Sequence, residues 1–308
     1  MNTVQQSTKA QRALVNAMTV DVEDYFQVSA FEGVINREDW GAISYRVEQN
    51  TDRILELFSE TGTHATFFTL GCVAERFPQM LKRIVEQGHE LASHGWNHTR
   101  VVNQNPMQFR EDVDRTRKLL EDLGGTQVKG YRAASYSIGS QNLWALDVLA
   151  ETGHLYSSSI APVKHDLYGM PEASRFPFRY GEHQILEIPI TTVKLMGKNI
   201  NCAGGGWFRL FPYGFTRWCL NVVNKKERQP CIFYFHPWEI DHTQPKVDGA
   251  SAKSRFRHYL NLDKTHARLE QLLTDFRWGR MDDIFLAEAN HTEVSDVMLN
   301  EQIMQGES

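Results

Sequence analysis

The sequence predicts an α/β fold in which parallel strands are joined by helices, and two observations support this class. Short runs rich in β-branched and aromatic residues alternate with amphipathic stretches along most of the 308 residues, a pattern typical of a parallel sheet with crossover helices. Each polar motif that could carry chemistry directly follows a predicted strand, where parallel α/β folds place their active sites. The alternation is compatible with both a barrel and a doubly wound sheet.

The first half of the chain contains four predicted strands. Residues 18–22 and 65–70 form the first two, and between them Val47, Ile54 and Phe58 recur at helical spacing. A second helix follows and ends before Gly88, and a short strand then runs up to Ser93. A helix over 109–123, a strand over 128–132 and a helix over 143–152 complete this half. The two helices are each followed by glycine, a common helix stop.

The second half continues the alternation with two interruptions. Strands are predicted at 185–190 and 231–235, helices near 215–223 and at 265–276, and a closing strand at 281–286. The segments 161–184 and 201–212 are rich in glycine, proline or aromatic residues, and we predict ordered loops there that cover the site. The glycine run at 204–206 lacks the spacing of a nucleotide-binding loop.

Length and composition favour a single globular domain over 16–290, preceded by a disordered leader at 1–15 and followed by a flexible tail at 291–308. Hydrophobic residues make up 41% of the chain and the formal net charge is −5, so neither intrinsic disorder nor nucleic-acid binding is indicated. No apolar stretch is long enough for a membrane span or a signal peptide. Four cysteines without a CxxC pair fit a reducing compartment, and the sequence thus predicts a cytoplasmic protein.

An acidic run closes the first predicted strand and supplies carboxylates for a metal and for proton transfer. Side-chain alternation places Asp21 and Glu23 on one face of the strand, while Asp24 begins the loop and can turn inward. Grouped acids at a strand end can divide the work: one donates an oxygen to a metal, and another takes a proton from water.

Two histidines four residues apart follow the third predicted strand. His94 and His98 are separated by Gly95, Trp96 and Asn97, and since glycine and asparagine are poor helix formers, we expect the pair to lie on a loop. Two imidazoles bind zinc poorly by themselves, so a third ligand must come from elsewhere in the chain. The acidic run is the natural source.

Two further motifs supply the remaining side chains that a metal-dependent hydrolase needs. Arg132 follows the fourth predicted strand and offers a cation that can hold a carboxylate base. His236 follows a later strand and offers an imidazole that titrates near neutral pH, which suits a general acid. Glu239 lies three residues further on, close enough to influence His236.

These motifs, taken together and in this order, resemble the polysaccharide deacetylase or NodB-like superfamily of metal-dependent carbohydrate esterases, over roughly residues 18–290. The resemblance is closest to a branch associated with bacterial exopolysaccharide and exosortase gene clusters. It implies a distorted, incomplete (β/α) barrel. The segments that carry it are Thr19-Val20-Asp21, Ala65 to Gly71, Gly88-His89-Glu90, His94-x-x-x-His98, Gly130-Tyr131-Arg132, Phe233 to Glu239 and Arg257 to Leu262.

The resemblance implies a role for each residue of these motifs. Asp21 is the catalytic base, His94 and His98 are metal ligands, Arg132 orients the base, and His236 is the general acid. The third ligand is a second acid, and because Val22 follows Asp21 directly, that ligand is either Glu23 or Asp24. The chain departs from the family pattern in two places: at Ala133-Ala134, where a proline-containing stretch is usual, and at Ser157, where an aspartate is common.

The resemblance also implies a cofactor, a substrate and a reaction. The cofactor is a divalent ion, most simply Zn²⁺, with Co²⁺ or Ni²⁺ accepted by the same mixed donors. The partner is an N-acetylated glycan, held by Tyr136 and by stacking on Trp207 and Trp238. The predicted reaction is N-deacetylation of a polysaccharide or of its lipid-linked precursor in exopolysaccharide biosynthesis. The alternatives are a hydrolase of a small amide or cyclic ureide, and an inactive carbohydrate-binding protein.

Overall fold

A nine-stranded, mainly parallel sheet forms the centre of the part of the chain that the computed structural model describes, residues 14–166 and 168–287. The predicted tail and most of the predicted leader lie outside these residues. The leader was predicted to extend to residue 15, but the first strand already begins at Val15. The limits of the predicted domain, 16–290, remain a prediction.

The strands and helices alternate over most of the chain. The strands are β1 (Val15–Val22), β2 (Thr66–Thr69), β3 (Glu90–Ser93), β4 (Gly130–Tyr131), β5 (Tyr156–Ser157), β6 (Phe178–Tyr180), β7 (Ile185–Glu187), β8 (Thr192–Leu195), β9 (Lys198–Asn201), β10 (Ile232–Phe235) and β11 (Arg277–Gly279). The helices are α1 (Val47–Thr61), α2 (Gly71–Arg76), α3 (Pro78–Glu86), α4 (Pro106–Gly124), α5 (Trp144–Glu151), α6 (Gly205–Leu210), α7 (Tyr213–Asn221), α8 (Ala252–Tyr259) and α9 (Leu262–Asp275).

The sheet has the order β10-β1-β2-β3-β4-β5-β7-β6, with β11 also paired to β1. Only β6 runs antiparallel to its neighbour, and among the described residues no pairing joins β6 back to β10. The sheet is therefore curved but open, which confirms the predicted α/β class and its incomplete barrel. Because β10, β1, β2, β3 and β4 are parallel, their carboxyl ends meet at one edge.

Helix α1 illustrates how the pattern in the sequence becomes packing. Its Val47, Ile54 and Phe58 are buried against the β1 side of the sheet in the largest apolar cluster, as their helical spacing predicts. Full burial of each such side chain stabilises the fold by about 1.5–3 kcal/mol. The helix ends at Gly62, whose φ of 62° lies in the left-handed region that glycine adopts without strain.

The predicted closing strand at 281–286 is wrong. The strand that closes this side is β11, and residues Asp282–Leu286 form a π-helical turn. Met281 and Phe285 are both buried, and their spacing of four residues is helical, whereas a strand would bury alternate residues.

The two predicted loops also contain regular structure. The segment 161–184 includes β6, and 201–212 includes helix α6. Gly204, with φ of 140°, passes so close to β10 that a Cβ atom there would lie 2.0 Å from the carbonyl oxygen of Tyr234. The glycine run thus permits a close approach of backbone to strand, after which Phe208 packs edge-on against Phe233.

Candidate metal centre and active site

The carboxyl edge of the sheet brings Asp21, His236 and the predicted metal ligands of the His94/His98 motif into one pocket of about 220 Å³, and the fully buried Arg132 contacts Asp21. Asp21 lies on β1, and His236 directly follows β10, its neighbour in the sheet. His94 directly follows β3, and Arg132 directly follows β4. Each parallel strand therefore delivers its motif to the same edge, and this register brings together residues that lie far apart in the sequence.

A possible metal site is formed by Glu23, His94 and His98. One ligand atom from each residue lies within 4.8 Å of the other two, and all three side chains are buried. The His98 backbone has φ of 56° and Gly95 has φ of 75°, so the predicted loop turns twice through the left-handed region. These turns bring both imidazoles of the His94/His98 pair to the same point.

The donors in this cluster suit a divalent ion of intermediate softness. His94 Nδ1 lies 2.8 Å from the carbonyl oxygen of Arg132, so Nδ1 carries the proton and Nε2 presents a lone pair. Burial lowers the pKa of His94 to about 4, which keeps the ring neutral. Burial opposes the ionisation of Glu23, but His98 and His236 outweigh it and lower the Glu23 pKa to about 2.

One atom in the cluster lacks a hydrogen-bond partner. The buried Oε2 of Glu23 faces His98 Nε2 at 2.9 Å without hydrogen-bond geometry. Burying an ionised oxygen with no donor is costly. A cation between Glu23 and the two imidazoles would remove this cost, and the residues present therefore fit a divalent metal.

Asp24, the other acid that the sequence offered as third ligand, is engaged elsewhere. Its carboxylate accepts hydrogen bonds from the backbone N–H groups of Tyr25, at 2.8 Å, and of Arg46 and Val47, at 2.6 and 2.8 Å. These contacts fix the first turn of α1. The structure thus places Glu23 in the cluster and gives Asp24 a structural position.

Asp21 is held by a fully buried arginine. Arg132 has no exposed surface and donates to Asp21 Oδ1 at 2.6 Å and to Thr19 Oγ1 at 2.8 Å. Its guanidinium also lies over the ring of Phe68. Burial opposes protonation of Arg132, but Asp21 outweighs it and raises the arginine pKa. One carboxylate oxygen of Asp21 is thereby fixed, and Oδ2 lies toward His236 at 3.9 Å.

His236 lies among three carboxylates. Its Nε2 is 3.6 Å from Glu23 Oε1 and 3.9 Å from Asp21 Oδ2, and its Nδ1 is 2.6 Å from Glu239 Oε1. Burial alone would lower the pKa of His236, but Glu23, Glu239 and Asp21 together raise it to about 9. The imidazole is therefore protonated at neutral pH, and its side chain is 18% exposed toward the pocket.

Arg209 contacts Glu239, the ion-pair partner of His236, and the sequence did not indicate this role for Arg209. Its Nε donates to Glu239 Oε2 at 2.6 Å, and both side chains are buried. Burial raises the pKa of Glu239, but Arg209 and His236 outweigh it and keep that pKa low. The only signal in the sequence for such support was Glu239, three residues after His236.

Ser157 stands at the position where the family often has aspartate, and its hydroxyl donates to Ser159 Oγ at 2.8 Å.

The three residues predicted to bind substrate have different surroundings. Tyr136 lines the pocket, and its buried hydroxyl has no hydrogen-bond partner. Trp238 also lines it, but its ring stacks on both His236 and His258, and its Nε1 donates to Glu23 at 3.3 Å. Trp238 is only 5% exposed, so little of its ring is available to a sugar here. Trp207 lines a neighbouring cavity instead.

Comparisons with known proteins agree with this geometry. Residues 39–156 match the family described as polysaccharide deacetylase, and residues 158–286 match a domain of unknown function, DUF3473. The first match contains His94, His98 and Arg132, and the second contains His236. Asp21 and Glu23 precede both matches.

Individual relatives cover smaller parts of the chain. A peptidoglycan-N-acetylglucosamine deacetylase of Bacillus cereus is 33% identical over 98 residues, which are 32% of this chain and 36% of that protein. A peptidoglycan deacetylase-like protein of Gibberella zeae is 30% identical over 132 residues, 42% of this chain and 38% of that protein. The chain thus spans little more than a third of these relatives.

One solved structure resembles the whole fold. A protein from Mycobacterium smegmatis, described as a polysaccharide deacetylase, superposes with a TM-score of 0.56 at 17% identity, over 89% of this chain and 91% of that one. At this identity the similarity concerns the fold alone. Within the described residues, no helix combines the length and apolar character needed to cross a membrane.

Proposed function

We propose that this protein is a metal-dependent N-deacetylase of a glycan. The family match and the relatives support membership of the polysaccharide deacetylase family. The observation that carries the proposal is the pocket itself. It contains the Glu23, His94 and His98 cluster, the Asp21 carboxylate and His236, which is ion-paired with Glu239. A simple binding protein has no need of a buried metal site between a base and an acid.

A divalent ion held by Glu23, His94 and His98 would polarise the acetyl carbonyl and make a water molecule more acidic. Asp21 takes the proton of the attacking water through Oδ2, since its Oδ1 is occupied by Arg132. The buried Arg132 guanidinium fixes the position of the Asp21 carboxylate through this hydrogen bond.

His236 donates a proton to the departing nitrogen through Nε2. An amide nitrogen is a poor leaving group until it is protonated, and His236 Nε2 lies within 3.9 Å of Asp21, so base and acid face the same reacting group. Glu239 fixes the ring through Nδ1, and Arg209 fixes Glu239. The chain thus supplies a base and an acid, each held by a buried partner.

The finer features of the function are further parts of this proposal. We propose Zn²⁺ as the ion, because two imidazoles and one carboxylate suit it, with Co²⁺ or Ni²⁺ able to replace it. The substrate is an N-acetylated polysaccharide or its precursor, and the process is exopolysaccharide biosynthesis in the cytoplasm. The pocket shares four lining residues with a second, adjacent cavity, which favours an extended glycan over a small cyclic ureide.

Acetate release provides the direct test. We expect the purified protein to release acetate from at least one member of a panel of N-acetylated oligosaccharides. Activity should be lost on chelation and restored by Zn²⁺, Co²⁺ or Ni²⁺. If the metal-loaded protein binds such glycans but releases no acetate from any of them, the enzyme proposal is wrong and the inactive binding protein remains. Turnover of cyclic ureides alone would favour the small-amide alternative.

The pH dependence should report the proton on His236. Because its pKa is raised, the imidazolium is present at neutral pH, and turnover of an N-acetylated sugar should fall as the pH rises through the alkaline range toward 9. Glu239→Gln removes one carboxylate that favours the imidazolium. We therefore expect its alkaline limb to move to lower pH, by roughly one unit.

An ester substrate supplies the control for this assignment. His236→Ala should lower amide cleavage by about 10²–10⁴-fold and affect an activated acetate ester much less, because that leaving group needs little protonation. Equal losses on amide and ester in a folded, metal-loaded variant would contradict the role of His236 as acid. An unchanged alkaline limb in Glu239→Gln would contradict the coupling to Glu239.

A further inference from the structure

A second cavity of about 310 Å³ opens beside the metal pocket. It is bounded by residues of α6 and α8 and by His165 and Tyr168 from the segment before β6. Four residues line both spaces: Tyr168, Gly206, Tyr234 and Arg257. A chain-like ligand with one residue at the metal site can therefore extend into this cavity. Nothing in the proposed reaction uses it.

The walls of this second cavity are mostly apolar and flat. Trp207 and Leu210 contribute from α6, and Phe256 contributes from α8. Phe256 is 59% exposed and Leu210 is 46% exposed, although side chains this apolar are usually buried. Grouped apolar exposure of this kind marks a binding surface. Aromatic rings suit the C–H faces of a pyranose.

The rim of this cavity carries positive charge. Lys253 and Arg257 both line it, and both point to the same oxygen, Oδ2 of Asp166, at 2.6 and 3.5 Å. Two cations thus share one carboxylate and leave one positive charge, in a chain whose net charge is −5. A local charge opposite in sign to that of the whole protein favours an anionic ligand.

The space beside His98 lacks this excess of cations. A cavity of about 160 Å³ there is lined by Glu32, Glu38 and Arg37, and Glu32 lies 3.8 Å from Arg37 and 3.4 Å from Arg100. The charges around Glu32 are thus paired with one another, whereas in the second cavity two cations share a single carboxylate. An anionic group is therefore accepted more readily on the α8 side.

We infer that the second cavity binds a sugar residue that carries an anionic group, adjacent to the N-acetylated residue placed at the metal site. The inference rests on the proposed function and makes it more specific: the substrate is an acidic heteropolysaccharide. Trp207, Leu210 and Phe256 pack against the sugar ring, and Lys253 and Arg257 bind its carboxylate or an equivalent anion.

Binding of two oligosaccharides tests this inference. The probes are a hyaluronan tetrasaccharide, in which glucuronate alternates with N-acetylglucosamine, and neutral chitotetraose. We expect zinc-loaded protein to bind the acidic probe about tenfold more tightly in calorimetry at low salt, with the difference shrinking in high salt. The Lys253→Gln/Arg257→Gln double variant should lose this preference. Phe256→Ala should weaken both probes.

Arg255→Gln is the matched control, since Arg255 is an exposed cation of the same helix that lines neither cavity. It should leave both affinities unchanged. Equal affinity of wild type for the two probes, or equal weakening of both by the double variant, would overturn the inference. A stronger preference for an octyl N-acetylglucosaminide would also overturn it, by assigning the cavity to an alkyl group.

Measurements of binding and of acetate release separate this inference from the proposed function. A preference for the acidic probe without acetate release would support the cavity assignment and contradict the enzyme. Acetate release from chitotetraose at the same kcat/KM as from the acidic probe, with no effect of the double variant, would support the enzyme and contradict the cavity assignment.

Discussion

Asp21→Asn is expected to lower deacetylation turnover by about 10²–10⁴-fold, the usual contribution of a general base. The amide keeps an oxygen that can accept the hydrogen bond from Arg132, but it cannot take a proton from water. Metal content should stay near that of wild type, because Asp21 is not part of the Glu23, His94 and His98 cluster. Initial rates of acetate release and metal analysis on the same preparation measure both quantities.

This substitution should also affect stability, because Arg132 is completely buried and would lose the charge that faces it. Removing one partner of a buried ion pair typically costs about 3–5 kcal/mol of stability. The hydrogen bonds that the guanidinium donates to Thr19 and Ser158 remain and offset part of this cost. Rates should therefore be compared well below the melting temperature of the variant. A folded, metal-loaded Asp21→Asn protein that retains more than a tenth of wild-type turnover would contradict the assignment of Asp21 as base.

Glu23→Ala and Asp24→Ala are expected to differ in their effect on metal content. Glu23→Ala removes one of the three clustered donors, and metal content should fall from about one ion per chain toward zero, with loss of activity. The metal-free variant should also be less stable than metal-free wild type, because the buried indole N–H of Trp238 loses its acceptor and the truncated side chain leaves a cavity.

Asp24→Ala should lower stability without loss of metal. It leaves the backbone N–H groups of Arg46 and Val47 without their acceptor at the start of α1, which should lower the free energy of unfolding by roughly 2–4 kcal/mol. Metal content per folded chain should remain that of wild type. Thermal unfolding and metal analysis distinguish the two variants, and a loss of metal in Asp24→Ala with Glu23→Ala unaffected would reverse the assignment of the third ligand.

Much of the candidate site could be predicted because its signals are local. Strand ends can be recognised from short apolar runs, and a parallel sheet brings its carboxyl ends to one edge, so Asp21, His94, Arg132 and His236 could be expected to meet there. The helices that connect these strands were predicted by their apolar spacing, and most of them begin and end near the expected residues.

Other features could not be predicted, because they depend on which segments touch. Both Glu23 and Asp24 were chemically suitable ligands, and only the position of the α1 N-terminus showed that Asp24 is engaged there. Arg209 lies in a segment that the sequence predicted as a loop, with no pattern to connect it to Glu239. Trp238 was predicted to stack on sugar, but its ring stacks on two imidazoles and is almost fully buried.

The sequence by itself therefore determined the α/β class, the order of the strands that bear motifs, and the residue types of the candidate site. The tertiary structure alone decided which acid lies beside the imidazoles, which buried arginine contacts Glu239 next to His236, and where apolar and cationic side chains form a second cavity. The physical reason is range: backbone periodicity acts over a few neighbouring residues, whereas ligand geometry, burial and charge pairing arise between segments that meet only in the folded chain.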